Sequence, residues 1–288
     1  MFRNSRMRTI LFALLLSLKF LGYSKENKDS ISNSWKIQGK LAFVLNQSSF
    51  SNWIAGGSNT VAGNLALDYD LNYRSDKWNW DNKITSVYGL SYIDTQGMRK
   101  TDDRFEHNSL LGIKSGKYWF FSFISNFKTQ YTRGYDYKTT PFESISNFLA
   151  PAYWSFGPGM LWKKSDNSSI NIAPASARLT FVSNEFLGKY GAKEGKNTAF
   201  GLGFNLSGYF KFDLMKDVIM ENIIAMYADY LDNPQNVDID YQIRFFIKIN
   251  ENLSTNLGFH TIIDDNASSK IQFKQMFGLG LNYIFHKT

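Results

Sequence analysis

From about residue 35 to the C-terminus, apolar and polar positions alternate with a period of two. In NVDIDYQIRFFIKIN, residues 236–250, Val237, Ile239, Tyr241, Ile243, Phe245, Ile247 and Ile249 are interleaved with Asp238, Asp240, Gln242, Arg244 and Lys248. Successive side chains of a strand point to opposite faces, so this run has one apolar and one charged face. Twelve such segments are predicted, at 35–46, 60–73, 78–92, 103–114, 118–131, 151–162, 169–182, 198–212, 218–231, 236–249, 252–264 and 270–285. The sixth and seventh alternate least clearly, because Pro151, Pro158 and Pro174 each lack the N–H that a ladder uses. No convincing amphipathic helix interrupts the series.

Strand length decides what the apolar faces meet. Soluble strands run to about 5–6 residues, whereas a membrane strand needs ~9–11 residues in hydrocarbon alone. The connections agree. RSDK, SGK, KKSDNS, Lys216-Asp217 and NEN are short; those between segments 1 and 2, 3 and 4, 5 and 6, and 7 and 8 are longer. The connections between segments 9 and 10 and between 11 and 12 are short and depart from the rule. Trp35, Tyr73, Trp78, Trp80, Trp119 and Trp162 fall near the turn end, and Tyr92, Tyr131, Trp154 and Tyr230 near the loop end. Two aromatic bands mark the two interfaces of a lipid-spanning barrel. The expected fold is therefore all-β: a transmembrane antiparallel up-and-down β-barrel of about 12 strands. Closure satisfies every backbone N–H and C=O without an edge. The apolar faces look outward to lipid, and the charged faces look into the lumen.

The ends and the composition refine this. Arg3, Arg6 and Arg8 precede an apolar stretch, TILFALLLSL at 9–18, which reads as a secretory signal over 1–24. A periplasmic linker over 25–34 and the barrel domain over 35–288 follow. Of the 32 basic residues, four lie in that signal and no acidic residue does, so 28 basic face 25 acidic afterwards, a net of +3. That balance gives no reason to expect nucleic acid. The absence of cysteine excludes disulfides, thiol catalysis, iron–sulfur clusters and a lipidated-Cys anchor.

Parity along the strands places nine cations inside: Lys36, Lys40, Lys83, Arg104, Lys128, Lys211, Arg244, Lys248 and Lys274. It places nine anions there too: Asp68, Asp70, Asp81, Glu106, Asp213, Glu221, Asp229, Asp238 and Asp240. This interior is either a polar path for a small solute or a salt-bridged filling that holds the barrel together. A balanced lumen argues against strong ion selectivity, which uses rings of one sign. The loop FSNWIAGGSN offers Phe50, Trp53, Gly56 and Gly57 as a plug, a partner contact or an interfacial anchor. The loop 132–150 has the same readings.

Other chemistry is sparse. His107 and Ser109 share the outward face of the fourth segment, as a nucleophile and base would in a phospholipase. A third, orienting group is needed, and Asn126 at the right height has inward parity. Asp102-Asp103 and Asp264-Asp265-Asn266 lack the spacing of a calcium loop, and His260 and His286 are isolated. No cofactor or metal is expected.

Longer phrases carry a resemblance. FSNWIAGGSN (50–59), RKTDDRFE (99–106), NFKTQYTRGYDY (126–137), FLAPAYW (148–154), LDNPQNVDID (231–240) and IQFKQMFGLGLNYIF (271–285) together resemble an uncharacterised family of Bacteroidota outer-membrane proteins, a domain of unknown function. The resemblance spans about 33–286 and implies an outer-membrane barrel in a didermal bacterium, with no activity attached. The expected function is a conduit for small solutes across the outer membrane. The alternatives are a structural or assembly barrel that binds other envelope proteins through its loops and, behind it, an outer-membrane phospholipase. Outer-membrane lipid is the partner common to all three.

Overall fold

The computed structural model describes residues 34–49, 58–94, 96–250 and 253–287. Its strands are β1 (Ser34–Ser48), β2 (Thr60–Arg74), β3 (Trp78–Ile93), β4 (Gly97–Lys114), β5 (Trp119–Thr129), β6 (Gly134–Asp136), β7 (Glu143–Ser146), β8 (Ala152–Ser165), β9 (Ser168–Phe181), β10 (Thr198–Met215), β11 (Val218–Asp229), β12 (Val237–Lys248), β13 (Leu253–Asp264) and β14 (Ser268–Lys287). Twelve of them form a closed antiparallel barrel in which each strand pairs with its neighbours and β14 returns to β1. β6 and β7 make a separate small hairpin between β5 and β8. The closing pair runs from Ile37↔Lys287 to Val44↔Gly280.

Period-two alternation builds this wall for the reason inferred from the sequence. Phe121, Phe123, Phe200, Phe273, Phe277 and Leu281 stand exposed on the outside, where lipid rather than protein covers them. Trp35, Trp78, Trp80 and Trp119 are exposed at the turn end, and Tyr92, Tyr131, Trp154 and Tyr230 at the loop end. The fold is a transmembrane β-barrel.

Several expectations are corrected. β4 begins at Gly97, not 103, so the β3–β4 connection is only 94–96. The loop 132–150 contains the β6–β7 hairpin. β11 ends at Asp229 and β12 begins at Val237, leaving a seven-residue loop where a short one was expected. The signal over 1–24, the linker apart from Ser34, and the plug residues Phe50, Trp53, Gly56 and Gly57 lie outside the described residues.

Candidate functional site in the charged lumen

Inside the barrel is a cavity of 1130 Å³. Lys36, Lys40, Asp68, Asp70, Asp81, Lys83, Arg104, Glu106, Lys128, Lys211, Glu221, Asp238, Asp240, Arg244 and Lys248 all line it, as does Asp213. Asp229 and Lys274 do not. Asp229 stands at the loop-side end of β11, where its carboxylate accepts the Leu231 N–H at 2.8 Å. Lys274 pairs with Asp102, with β1, β2 and β3 between their strands. Parity missed Arg74, Lys163, Asp166 and Arg178, which also line the cavity. Arg74, Lys163 and Asp166 sit at strand ends or in a turn, where alternation fades, and Arg178 lies in a segment broken by proline.

The charges are organised in three tiers, and each tier joins strands that are not neighbours. At the turn end, Asp81 on β3 and Asp166 in the β8–β9 turn share two cations. Lys163 Nζ lies 2.6 Å from Asp81 and 3.1 Å from Asp166. Arg74 binds Asp81 and reaches Asp166 at 2.6 Å. Burial opposes ionisation of Asp166, but Lys163 and Arg74 outweigh it and hold the carboxyl well below the usual carboxylate range.

In the middle tier, Lys128 on β5 reaches Asp240 on β12 at 2.7 Å, with four strands between them. Asp240 also faces His260 at 2.9 Å, so that histidine has a partner. Glu106 receives Asn108 and Asn126 at 3.0 Å each and lies 3.8 Å from Lys128. Beside them, Arg244 lies 3.6 Å from Asp68 across the lumen, and Thr85 donates to Asp68 at 2.9 Å. Tyr209 donates to Glu221 at 3.1 Å.

At the loop end, Arg178 binds Asp238 and lies 3.6 Å over the ring of Tyr227. Asp103 takes Lys100 at 2.8 Å and the backbone N–H groups of Tyr131 and Thr132 at 2.7 and 2.9 Å. With Lys274 on Asp102, these partners account for both carboxylates of the Asp102-Asp103 pair. Among the described residues no group of three or more His, Cys, Asp and Glu is arranged to hold a metal.

Above the loop end, the β6–β7 hairpin and the segment 182–197 are tied into one cover. Arg133 pairs with Glu185 at 3.0 Å, Lys189 with Glu143 at 3.0 Å, and the Tyr190 hydroxyl donates to the Ile145 carbonyl. Burial, with Glu143 nearby, raises the Tyr190 phenol above its ordinary value. Phe186 is fully buried in this cover against Ala150, Val182 and Ala192.

The phospholipase constellation does not assemble. Ser109 accepts the Trp80 indole N–H at 2.8 Å. Asn126 points inward, where it serves Glu106.

A family model described as a protein of unknown function (DUF3078) matches residues 45–135, about a third of the chain. That span holds FSNWIAGGSN, RKTDDRFE and most of NFKTQYTRGYDY. The later phrases lie beyond it. No curated protein matches the sequence. Among solved structures, the COG4313 outer membrane channel from Pseudomonas putida F1 is similar over 92% of this chain and 100% of its own, with 7% identity and a TM-score of 0.40. The translocator domain of the autotransporter NalP from Neisseria meningitidis covers 96% and 97%, with 7% identity and a TM-score of 0.36. The outer membrane channel DcaP of Acinetobacter baumannii covers 91% and 99%, with 10% identity and a TM-score of 0.31.

Proposed function

We propose that the protein is an integral outer-membrane barrel that passes small polar solutes through a lumen constricted by its own ion pairs. The observation that carries this reading is the 1130 Å³ charged cavity enclosed by a wall whose outer face is apolar. A polar solute can exchange hydrogen bonds with the tiers one at a time, so none of the buried charges is stranded as it passes. The test is single-channel conductance of the refolded chain beside the double variant Lys128→Met, Asp240→Leu, which removes both charges of the middle bridge. A steady current that rises in the double variant supports the conduit. Silence from both, with heat-modifiable gel mobility attesting folded barrels, overturns it.

The second reading, a barrel that assembles with other envelope proteins, rests on the cover. Phe142, Ile145 and Phe148 are exposed there, and exposed apolar groups on a loop favour a partner. Cross-linking in native membranes separates the two; recovery of the monomer alone counts against assembly.

A further inference from the structure

The barrel wall is not uniformly hydrogen-bonded. Between β8 and β9 the register runs from Phe156↔Ala177 directly to Met160↔Ile172. Three residues of β8 and four of β9 have no ladder partner across that seam, the longest gap within any described strand pairing. Pro158 and Pro174 stand midway along the two strands, both exposed on the outside. Neither has an N–H to give. β9 also slips against β10 at the same level, between Gly203 and Asn205.

What holds the seam is contact. A Cβ added at Gly157 would stand 2.5 Å from the Ala175 carbonyl oxygen, and one at Gly159 would stand 2.5 Å from that of Ile172. Only glycine lets the two backbones lie so close. Two carbonyls freed by the gap are covered by side chains instead: Ser176 donates to Phe156 O at 3.4 Å, and Tyr230 to Pro174 O at 2.9 Å. The Tyr230 bond ties the end of β11 to β9 across β10, so the bond that spans the seam itself is Ser176 to Phe156 O.

The two sides of the seam differ in chemistry. Outside lie Phe123 and Ile172, exposed to lipid. On the lumen side lie Asn171 and Asn205, which line the cavity and are 1% and 8% exposed. Asn171 Nδ2 is a buried donor without a partner, and Asn205 Oδ1 a buried acceptor without one. Unpaired amide groups are costly in a buried site, and a ligand bearing both a donor and an acceptor satisfies them.

We propose that the β8–β9 seam is a lateral outlet between lumen and bilayer for an amphiphile with an uncharged, hydrogen-bonding head and an apolar tail. The head meets Asn171 and Asn205, and the tail passes between Pro158 and Pro174. Parting the strands there breaks contacts and one side-chain bond rather than a run of ladder bonds. The inference rests on the conduit reading only in requiring a lumen that solute enters, and its test does not use conductance.

The probe is a monoacylglycerol that carries one diazirine beside its glycerol head and another in its acyl chain, resident in nanodiscs that hold the purified protein. Light fixes it to whatever its head and its chain reach, and peptide mass spectrometry reports the sites. Because the chain has no cysteine, Phe156→Cys with Ala177→Cys, or Met160→Cys with Ile172→Cys, locks the seam without side reactions. The expected result is labelling of the lumen-facing peptide at Asn171 and Asn205, lost on oxidation of either pair and restored by reductant. Ser176→Ala raises it about fivefold, as loss of the one hydrogen bond across the seam allows. Labelling at the outward Phe123 is constant throughout. Lumen labelling that is unchanged by the lock, or absent from every form while Phe123 is labelled, overturns the outlet and leaves the bulge a device of curvature. Conductance that persists in the locked form, measured separately, keeps the axial conduit distinct from the outlet.

Discussion

A tryptophan in an aromatic band has one indole N–H to satisfy, and the wall itself can supply the acceptor. Trp80 gives its indole N–H to Ser109 at 2.8 Å, and Trp154 gives its own to Ser125 at 3.1 Å. The outward serines are thus acceptors for the aromatic bands, which explains Ser109 without catalysis. Ser109→Ala is expected to lower stability by about 1 kcal/mol, and adding Trp80→Phe to cost little more. Denaturant unfolding in detergent, read as a double-mutant cycle, checks the pair. Lumen residues carry larger stakes. Lys128→Met leaves Asp240 and Glu106 without their shared cation, and a loss of about 3–5 kcal/mol is expected in the same assay. Parity made the inward position of Lys128 and Asp240 legible from the sequence. It could not pair them, because alternation reports a face and not which distant strand lies opposite.

Elements were legible where lipid imposed a period and illegible where it stopped. β3 and β11 begin at the residues predicted, since their apolar faces run to the turns. β4 was cut short because Arg99, Lys100, Asp102 and Asp103 obscure the alternation at its loop-side end. Pro158 and Pro174 read correctly as a weakness of the sixth and seventh strands, but that both fall in one gap of the β8–β9 pairing emerges only from register. The β8–β9 turn makes a pH prediction. Asp166 has a folded-state pKa depressed by Lys163 and Arg74 against the cost of burial. Its contribution is therefore present above the unfolded carboxylate value of about 3.9 and is lost as pH falls through the lower folded value. Acid unfolding followed by gel mobility is expected to show Asp166→Asn less stable than the parent near neutrality, with the difference closing as the medium becomes strongly acidic. A constant difference at all pH values would mean that the charge of Asp166 contributes nothing.

For the whole molecule, sign balance and closure matter more than any one residue. Among the described residues the cavity is lined by twelve Lys and Arg against eleven Asp and Glu. If current flows, its cation-to-anion permeability ratio is expected to lie within about twofold of unity, read from the reversal potential in a potassium chloride gradient. Closure also dates the ion pairs. Asp68 and Arg244, or Lys128 and Asp240, are distant in the chain and cannot meet in any hairpin. They come together only when Ile37–Val44 zips against the C-terminal strand. Interactions made after the rate-limiting step leave the rate of formation alone and slow the rate of loss. The lacing of the lumen is thus a brake on escape from the folded state: cutting one bridge should hasten unfolding while the barrel assembles at its former pace. A barrel built this way owes its endurance to lifetime more than to depth of stability.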